Sequence, residues 1–411
     1  MKYLFQRANV LTMKTDEILY LTDVLVEKGI IVNIGKNIPA ENAITIDCTG
    51  KYLIPGLFDA HAHLNTSEMG ELFIANGITG VRNLCGTAEH NVLDSEIRDG
   101  TKIGPYIYSS GPIIDGVKAI DKVDNRVYIS SLQEAEEAVY NTINDGFRWV
   151  KTYPSIEPDH LQRLMETARD CGIKVCGHMS YPVDAKTLCD WGYHCCEHSS
   201  SLPRHDADIE YLAKGGMWFC PTQVVCETLP DYVWNGKQLN DLAYYEYVPG
   251  PLREFWEDRN KKIIAGYKKR DLRPDINVVI NRGKTFMTYS DQYLAGSDTM
   301  YPGIICGFSL HEELYKLVTL YGRTPYEALK SATVNPAKYI GLEEEKGMLR
   351  KGFDADLVIL DENPLANIRN TNKIQAVMQG TRYYDRKQLD AILNHVRNLK
   401  DEEFHFIAPI F

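Results

Sequence analysis

No stretch of this chain reaches about 18 consecutive apolar residues, so none suits a membrane-spanning helix. The opening residues, Met1-Lys2-Tyr3-Leu4-Phe5-Gln6-Arg7, meet charge too early for the apolar core of a secretory signal. There is no CxxC pair, although the chain holds ten cysteines. Most of these sit inside apolar runs, which favours reduced, buried thiols and a cytoplasmic protein over a disulfide framework. There is no long lysine- or arginine-rich block either, and 45 Lys+Arg face 56 Asp+Glu for a net charge of −11. That balance argues against nucleic acid or an anionic membrane as partner and leaves a small molecule as the ligand. Low-complexity segments and short repeats are also missing. What is present, 44% hydrophobic and 25% charged residues, is the make-up of a globular protein and excludes long disorder or a coiled coil.

A length of 411 residues exceeds one simple core and suits a barrel of about 250 residues with a companion domain. The runs 18–26 and 29–35 near the start read as strands, as do 355–360 and 374–384 near the end. Strands at both termini around a different middle predict a small β-sandwich built from residues 1–55 and 345–411. The middle, 56–344, alternates short apolar runs with helical stretches at about 25 residues per unit, which predicts an α/β fold, a (β/α)8 TIM barrel. Ser131-Leu132-Gln133-Glu134 opens one of its helices with a capping pattern. The stretch 222–285 breaks the rhythm with Trp234, Trp256, several tyrosines and a basic helix. It reads as an insertion that either packs on the barrel or covers its mouth as a lid.

The chemistry-bearing signal starts at Asp59-Ala60-His61-Ala62-His63. On a strand, residues two apart share a face, so His61 and His63 can address one ion. Alone, such a pair is weak evidence. The support is that Lys151, His178, His198 and Asp298 each follow an apolar run, at the expected C-terminal end of a strand. Catalytic groups of barrel enzymes collect at those ends. Lys151 sits in Arg148-Trp149-Val150-Lys151, an apolar setting for an ammonium.

With these residues in place, the chain resembles the amidohydrolase superfamily, in its imidazolonepropionase-like and Xaa-Pro-dipeptidase-like branch. Ser331-Ala332-Thr333-Val334-Asn335-Pro336-Ala337 and Gly347-Met348-Leu349-Arg350-Lys351-Gly352 look like the family's return from barrel to terminal domain. The resemblance implies two divalent ions, most often zinc. His61, His63 and Asp298 would hold the more buried ion, and His178 and His198 the more exposed one. Lys151 would carry a carbamate formed with carbon dioxide and bridge the two. It further implies hydrolysis of an amide-like bond, of a dipeptide or N-acyl amino acid, by a metal-bridging hydroxide. Asp298 would relay the proton and His178 would help to orient the substrate. A homo-oligomer is also in the family's character. The deaminase branch places a glutamate three residues after the strand-5 histidine, where this chain has Tyr181. In the mononuclear imidazolonepropionase reaction the strand-4 lysine has no role.

Competing readings exist for each residue. His61 and His63 could be packing histidines, Lys151 a snorkelling or salt-bridged lysine, and Asp298 a cap before a Pro-Gly turn. Tyr153 and Tyr181 are candidates for binding a substrate carboxylate, or else line a wall. His311 reads as structural; His90, His160, His395 and His405 read as solvated; Cys176 and Cys195 read as buried filler. A metal centre of this kind also suits a lactone, urea, carbamate or phosphoester. The alternative from another class is a catalytically silent metal-binding scaffold.

Overall fold

The computed structural model describes residues 1–39, 41–119, 126–179, 182–270 and 275–408. Both chain ends feed one sheet. Lys2–Leu11, Ile18–Glu27, Ile30–Gly35, Ile44–Asp47 and Tyr52–Pro55 join Leu357–Leu360, Ile374–Gln379 and Arg382–Asp385 in an eight-stranded sheet. Tyr52–Pro55 pairs with Lys2–Leu11 on one side and with Leu357–Leu360 on the other, which stitches the two ends together. Phe5, Val24, Val26, Ile31, Leu53, Leu357 and Ile359 are buried on its apolar side.

Where the sequence predicts a sandwich, the hydrogen bonding is that of a single sheet. Tyr383 nevertheless lies 5.6 Å from Tyr3 and 6.0 Å from Phe5, ring to ring. Their strands have three others between them in the hydrogen-bond order. In a flat sheet that separation would be about 19 Å, at roughly 4.8 Å per strand. The sheet therefore curls and folds its apolar face onto itself. The run 374–384 is a hairpin rather than one strand. Gly380, at φ 57°, supplies the left-handed turn between Ile374–Gln379 and Arg382–Asp385.

The middle of the chain holds parallel strands. Leu57–Ala62, Ile78–Asn83 and Tyr106–Ser109 form one sheet; Ile113–Gly116, Arg126–Ile129, Trp149–Thr152, Lys174–Gly177, Cys195–Glu197 and Trp218–Cys220 form another. Arg148 N–H donates to Ser109 O at 2.9 Å and Gly111 N–H to Trp149 O at 3.0 Å, joining the two sheets. On the other side, Leu294 N–H donates to Phe219 O and Ala60 N–H to Ala295 O, each at 2.9 Å. Helices Ser67–Ala75, Ala88–Asp99, Leu132–Asn144, Pro158–Asp170 and Asp206–Lys214 are interleaved with the strands. Ser131 caps one as its sequence predicts, its hydroxyl accepting from Glu134 N at 3.1 Å. This α/β arrangement, with its companion sheet, fits a TIM barrel plus a terminal sheet domain.

The insertion contains helices Gln223–Val233, Gly250–Arg270 and Ile276–Tyr289. Several of its aromatic residues pack. Trp256 is fully buried and its Nε1 donates to Met300 O at 3.1 Å, while Tyr244 and Tyr247 stack on Phe308 at 4.1 and 5.1 Å. Among the described residues, no helix is long and apolar enough to cross a membrane. All ten cysteines are free thiols. Trp256→Ala should lower the unfolding free energy by about 3–5 kcal/mol, the usual cost of emptying a buried aromatic site. Urea denaturation measures this, and a loss under about 1 kcal/mol would contradict the packing role given to Trp256.

Candidate metal centre

Alternation along Leu57–Ala62 and its continuation puts Asp59, His61 and His63 on one side of the backbone. His61 is fully buried and its ring centre lies 5.4 Å from that of His63. Both Nε2 atoms face the same oxygen, Asp298 Oδ1, at 3.3 and 3.2 Å. The backbone sets this meeting, since Asp298 N–H donates to His61 O at 2.8 Å and His63 N–H donates to Thr299 O. His198 brings Nδ1 to 3.8 Å from Asp298 Oδ2, and its ring lies tilted against that of His61 at 4.7 Å. Ligand atoms of His61, His198 and Asp298 all lie within 4.8 Å of one another. His178 joins by stacking on His198 at 4.5 Å. Lys151 is fully buried, and among the described residues its Nζ has no hydrogen-bond partner.

His61 Nδ1 lies 2.8 Å from Glu197 Oε2, and Glu197 takes two contacts of 2.8 Å from Arg82 Nη2. Burial alone would raise the Glu197 carboxyl, but Arg82 and His61 together hold it below its usual range. An ionised Glu197 claims the Nδ1 proton of His61. The other ring nitrogen, Nε2, is buried without a hydrogen-bond partner among the described residues and faces a carboxylate oxygen 3.3 Å away. A ring nitrogen oriented by a carboxylate on its far side is the usual arrangement of a metal-ligating histidine. Burial depresses His63 to about 4, His198 to about 3, and His178 well below its ordinary value. All three imidazoles are therefore neutral near pH 7, the form that binds metal. Burial works to raise Asp298, yet His61, His63 and His198 pull it well below the usual carboxylate range.

The outer contacts were not foreseen. Asp59 accepts from His61 N–H at 3.2 Å, from Ser297 N–H at 2.9 Å and from Ser297 Oγ at 2.5 Å, tying the strand of His61 to the segment before Asp298. Thr222 Oγ1 lies 2.7 Å from His198 Nδ1 and so holds that ring in place. Tyr193 hydrogen-bonds Thr152 Oγ1 at 2.7 Å and donates to His178 O at 3.1 Å. A sequence signal existed for two of these: Asp59 lies on the histidine face of its strand, and Glu197 is an acid in an apolar run beside a ligand histidine.

Tyr153 stacks on His178 at 4.2 Å, with the Arg126 guanidinium 4.2 Å over its ring. Tyr181 lies outside the described residues. His90 is not solvated; it is buried, and its Nε2 bonds Leu64 O at 2.8 Å, bracing the residue after His63. His395 is tied to Glu71 at 2.8 Å. His311 is structural, bonded to Thr371 Oγ1 at 2.9 Å and Asn76 O at 3.1 Å. Cys176 and Cys195 are buried free thiols whose pKa burial raises.

The model of the amidohydrolase family matches residues 52–381. The chain is 24% identical over 400 residues to an imidazolonepropionase of Acinetobacter baumannii, covering 89% of this chain and 94% of that one. Among solved structures it is similar to a bottromycin amidohydrolase, with TM-score 0.77 and 20% identity over 99% of this chain and 93% of that one. A Xaa-Pro dipeptidase with methionine bound in its active site gives TM-score 0.73 and 18% identity, covering 94% of this chain and all of that one. The family's members generally bind metal ions and act on small molecules, which the convergence on Asp298 suits. The chain belongs to the amidohydrolase family and is a hydrolytic enzyme acting on C–N bonds.

Proposed function

We propose that this protein is a metal-dependent hydrolase of an amide bond, in a dipeptide-like or N-acyl amino acid substrate, on a closed (β/α)8 barrel spanning 56–344. One observation carries the reading: His61, His198 and the Asp298 carboxylate bring ligand atoms within 4.8 Å of one another, an arrangement that suits a cation. His61, His63 and Asp298 would hold one divalent ion, and His178 and His198 a second, with zinc the first candidate. Bound divalent ions supply Lewis acidity to a carbonyl and lower the pKa of water. Lys151 is the candidate bridge. Its buried Nζ has no hydrogen-bond partner among the described residues, and addition of the neutral amine to carbon dioxide, with loss of one proton, gives an anionic carbamate.

The protein's own groups then divide the work. Asp298, ionised and open on one side, accepts a proton from the attacking water and returns it to the leaving amine. His178, neutral by burial, orients the carbonyl, and Tyr153 stacked on it lines the substrate wall. Lys151 favours this two-ion reading over the mononuclear imidazolonepropionase reaction, despite the relative of that name. The free cysteines support a reducing compartment, the cytoplasm.

Asp298→Asn should lower kcat by about a thousandfold on any cleaved N-acyl amino acid, the size of loss that removing a general acid–base group commonly gives. Full activity in that variant would sink the proposal. Lys151→Ala should lose metal by elemental analysis and regain it when a short carboxylic acid is added; retention of two ions without the acid would refute the carbamate. Glu197→Gln leaves Arg82 buried without its counter-charge, so urea unfolding should show a loss of about 3–5 kcal/mol. Metal affinity should fall about 10- to 100-fold in the same variant, because His61 loses the partner that fixes its tautomer.

A further inference from the structure

Three segments far apart in sequence meet on the face where the parallel strands end. The first is the loop 64–66, directly after His63. The second is the insertion helix Gly250–Arg270, whose Trp256 holds the carbonyl of Met300, two residues beyond Asp298. The third is the C-terminal tail. Ile407 N–H donates to Asn65 O at 2.7 Å, Asn65 Nδ2 donates to Ala408 O at 3.5 Å, and Phe406 forms an antiparallel bridge with Thr66. The Phe406 ring lies 6.3 Å from Phe255 of the insertion helix and 5.0 Å from Phe404. Upstream, Arg397 donates to the Tyr247 hydroxyl at 2.7 Å. Asp401 abuts the start of the insertion helix so closely that a Cβ on Gly250 would meet Asp401 Oδ1 at 2.4 Å. The tail thus runs from the insertion to the loop that follows one candidate ligand, and it touches a helix that steadies the loop after another.

Along this tail, Phe404 is 5% exposed and Ala408 6%, but Phe406 between them is 41% exposed. The Phe406 ring, edge-on to Phe404, is therefore the open middle of a tail covered on either side of it. Thr66 can lie no more than about 11 Å from His63 along the chain, and the bridge adds roughly 5 Å to Phe406. A substrate whose scissile bond sits at the metal centre reaches that far with a medium-length chain.

We propose that Phe406 is a specificity-determining residue. The open middle of the C-terminal tail, with Phe255 beside it, forms the subsite for an apolar group on the acyl side of the substrate. This subsite rests on the amide-hydrolase reading above for its substrate, though its affinity for an apolar chain can be read without turnover.

The test uses the metal-loaded full chain and its Phe406→Ala variant, whose half-open side chain can be removed without emptying the core. Calorimetry with acetate and octanoate, which cannot be hydrolysed, reads the subsite directly. The wild type should bind octanoate at least about tenfold more tightly than acetate. Phe406→Ala should erase most of that ratio and leave acetate affinity within about twofold. On N-acetyl and N-octanoyl amino acids, the same variant should raise KM for the longer chain and leave kcat and all parameters for the shorter one. Ile407→Pro, which removes the N–H donated to Asn65 O, should move both readouts the same way. A wild-type ratio near one, or a ratio that neither variant changes, overturns the proposal. If the wild type cleaves no N-acyl amino acid but Phe406→Ala still abolishes the octanoate preference, the amide reading falls and the subsite stands.

Discussion

The whole centre turns on the chain Arg82–Glu197–His61–Asp298. A buried guanidinium fixes a carboxylate; the carboxylate holds one imidazole nitrogen; the other nitrogen is thereby turned to Asp298 at 3.3 Å. Buried polar atoms are normally paired, because an unpaired one keeps its desolvation cost. Three such atoms belong to candidate ligands, His61 Nε2, Lys151 Nζ and His178 Nδ1, none of which has a hydrogen-bond partner among the described residues. Polar atoms buried in this way suit a ligand, and they support the metal centre proposed above.

The backbone shows the same demand. His198, Thr222 and Asp298 adopt φ of 70°, 44° and 62°, in the left-handed region that non-glycine residues seldom occupy. Each conformation carries strain that surrounding contacts must hold. For Thr222 the holder is Glu313, which accepts from Gln223 N–H at 2.9 Å and Val224 N–H at 2.8 Å and so pins the helix that starts beside it. For Asp298 it is Ser297, locked to Asp59, and the backbone bond to His61 O. Other left-handed residues lie elsewhere, Arg7 and Lys28 among them, but these three are the ones at the candidate ligands, each held there by named contacts.

Much of this could be read in the sequence, for reasons that are physical. The ligand histidines stand out because strand alternation gives them a shared face, and Lys151 because an ammonium at the end of an apolar run has no cheap explanation. Their partners do not stand out, because each comes from elsewhere: Arg82 and Glu197 are 115 residues apart, and no local pattern links them. His90 was misjudged because burial depends on packing, and the Leu64 carbonyl it bonds is 26 residues away. The hairpin at Gly380 left a local mark, a glycine between apolar runs. So did the helix Arg386–Arg397, which opens on a capping box between Asp385 and Gln388. The single curled sheet left none, since its closure depends on contacts such as Tyr383 against Tyr3 that alternation alone does not specify.

The acids of this site are shifted in opposite directions, and the difference sorts their roles. Asp59 is pushed up to about 6 and Glu313 to about 8, chiefly by burial. Both spend their oxygens on donors of the surrounding frame: backbone N–H groups and the Ser297 hydroxyl. Burial works to raise Asp298 and Glu197 too, but imidazoles surround the first and a guanidinium grips the second, and both are held below the ordinary range. Acids of the first kind serve as braces, since oxygens already occupied by donors of the frame have little to offer an ion or a moving proton. Of the second kind, Glu197 has both oxygens engaged. Only Asp298 combines full charge with partial exposure, at 13% of its side chain. Charge and exposure together therefore support Asp298 as the proton carrier proposed above, and it is the carboxylate on which the candidate ligands converge.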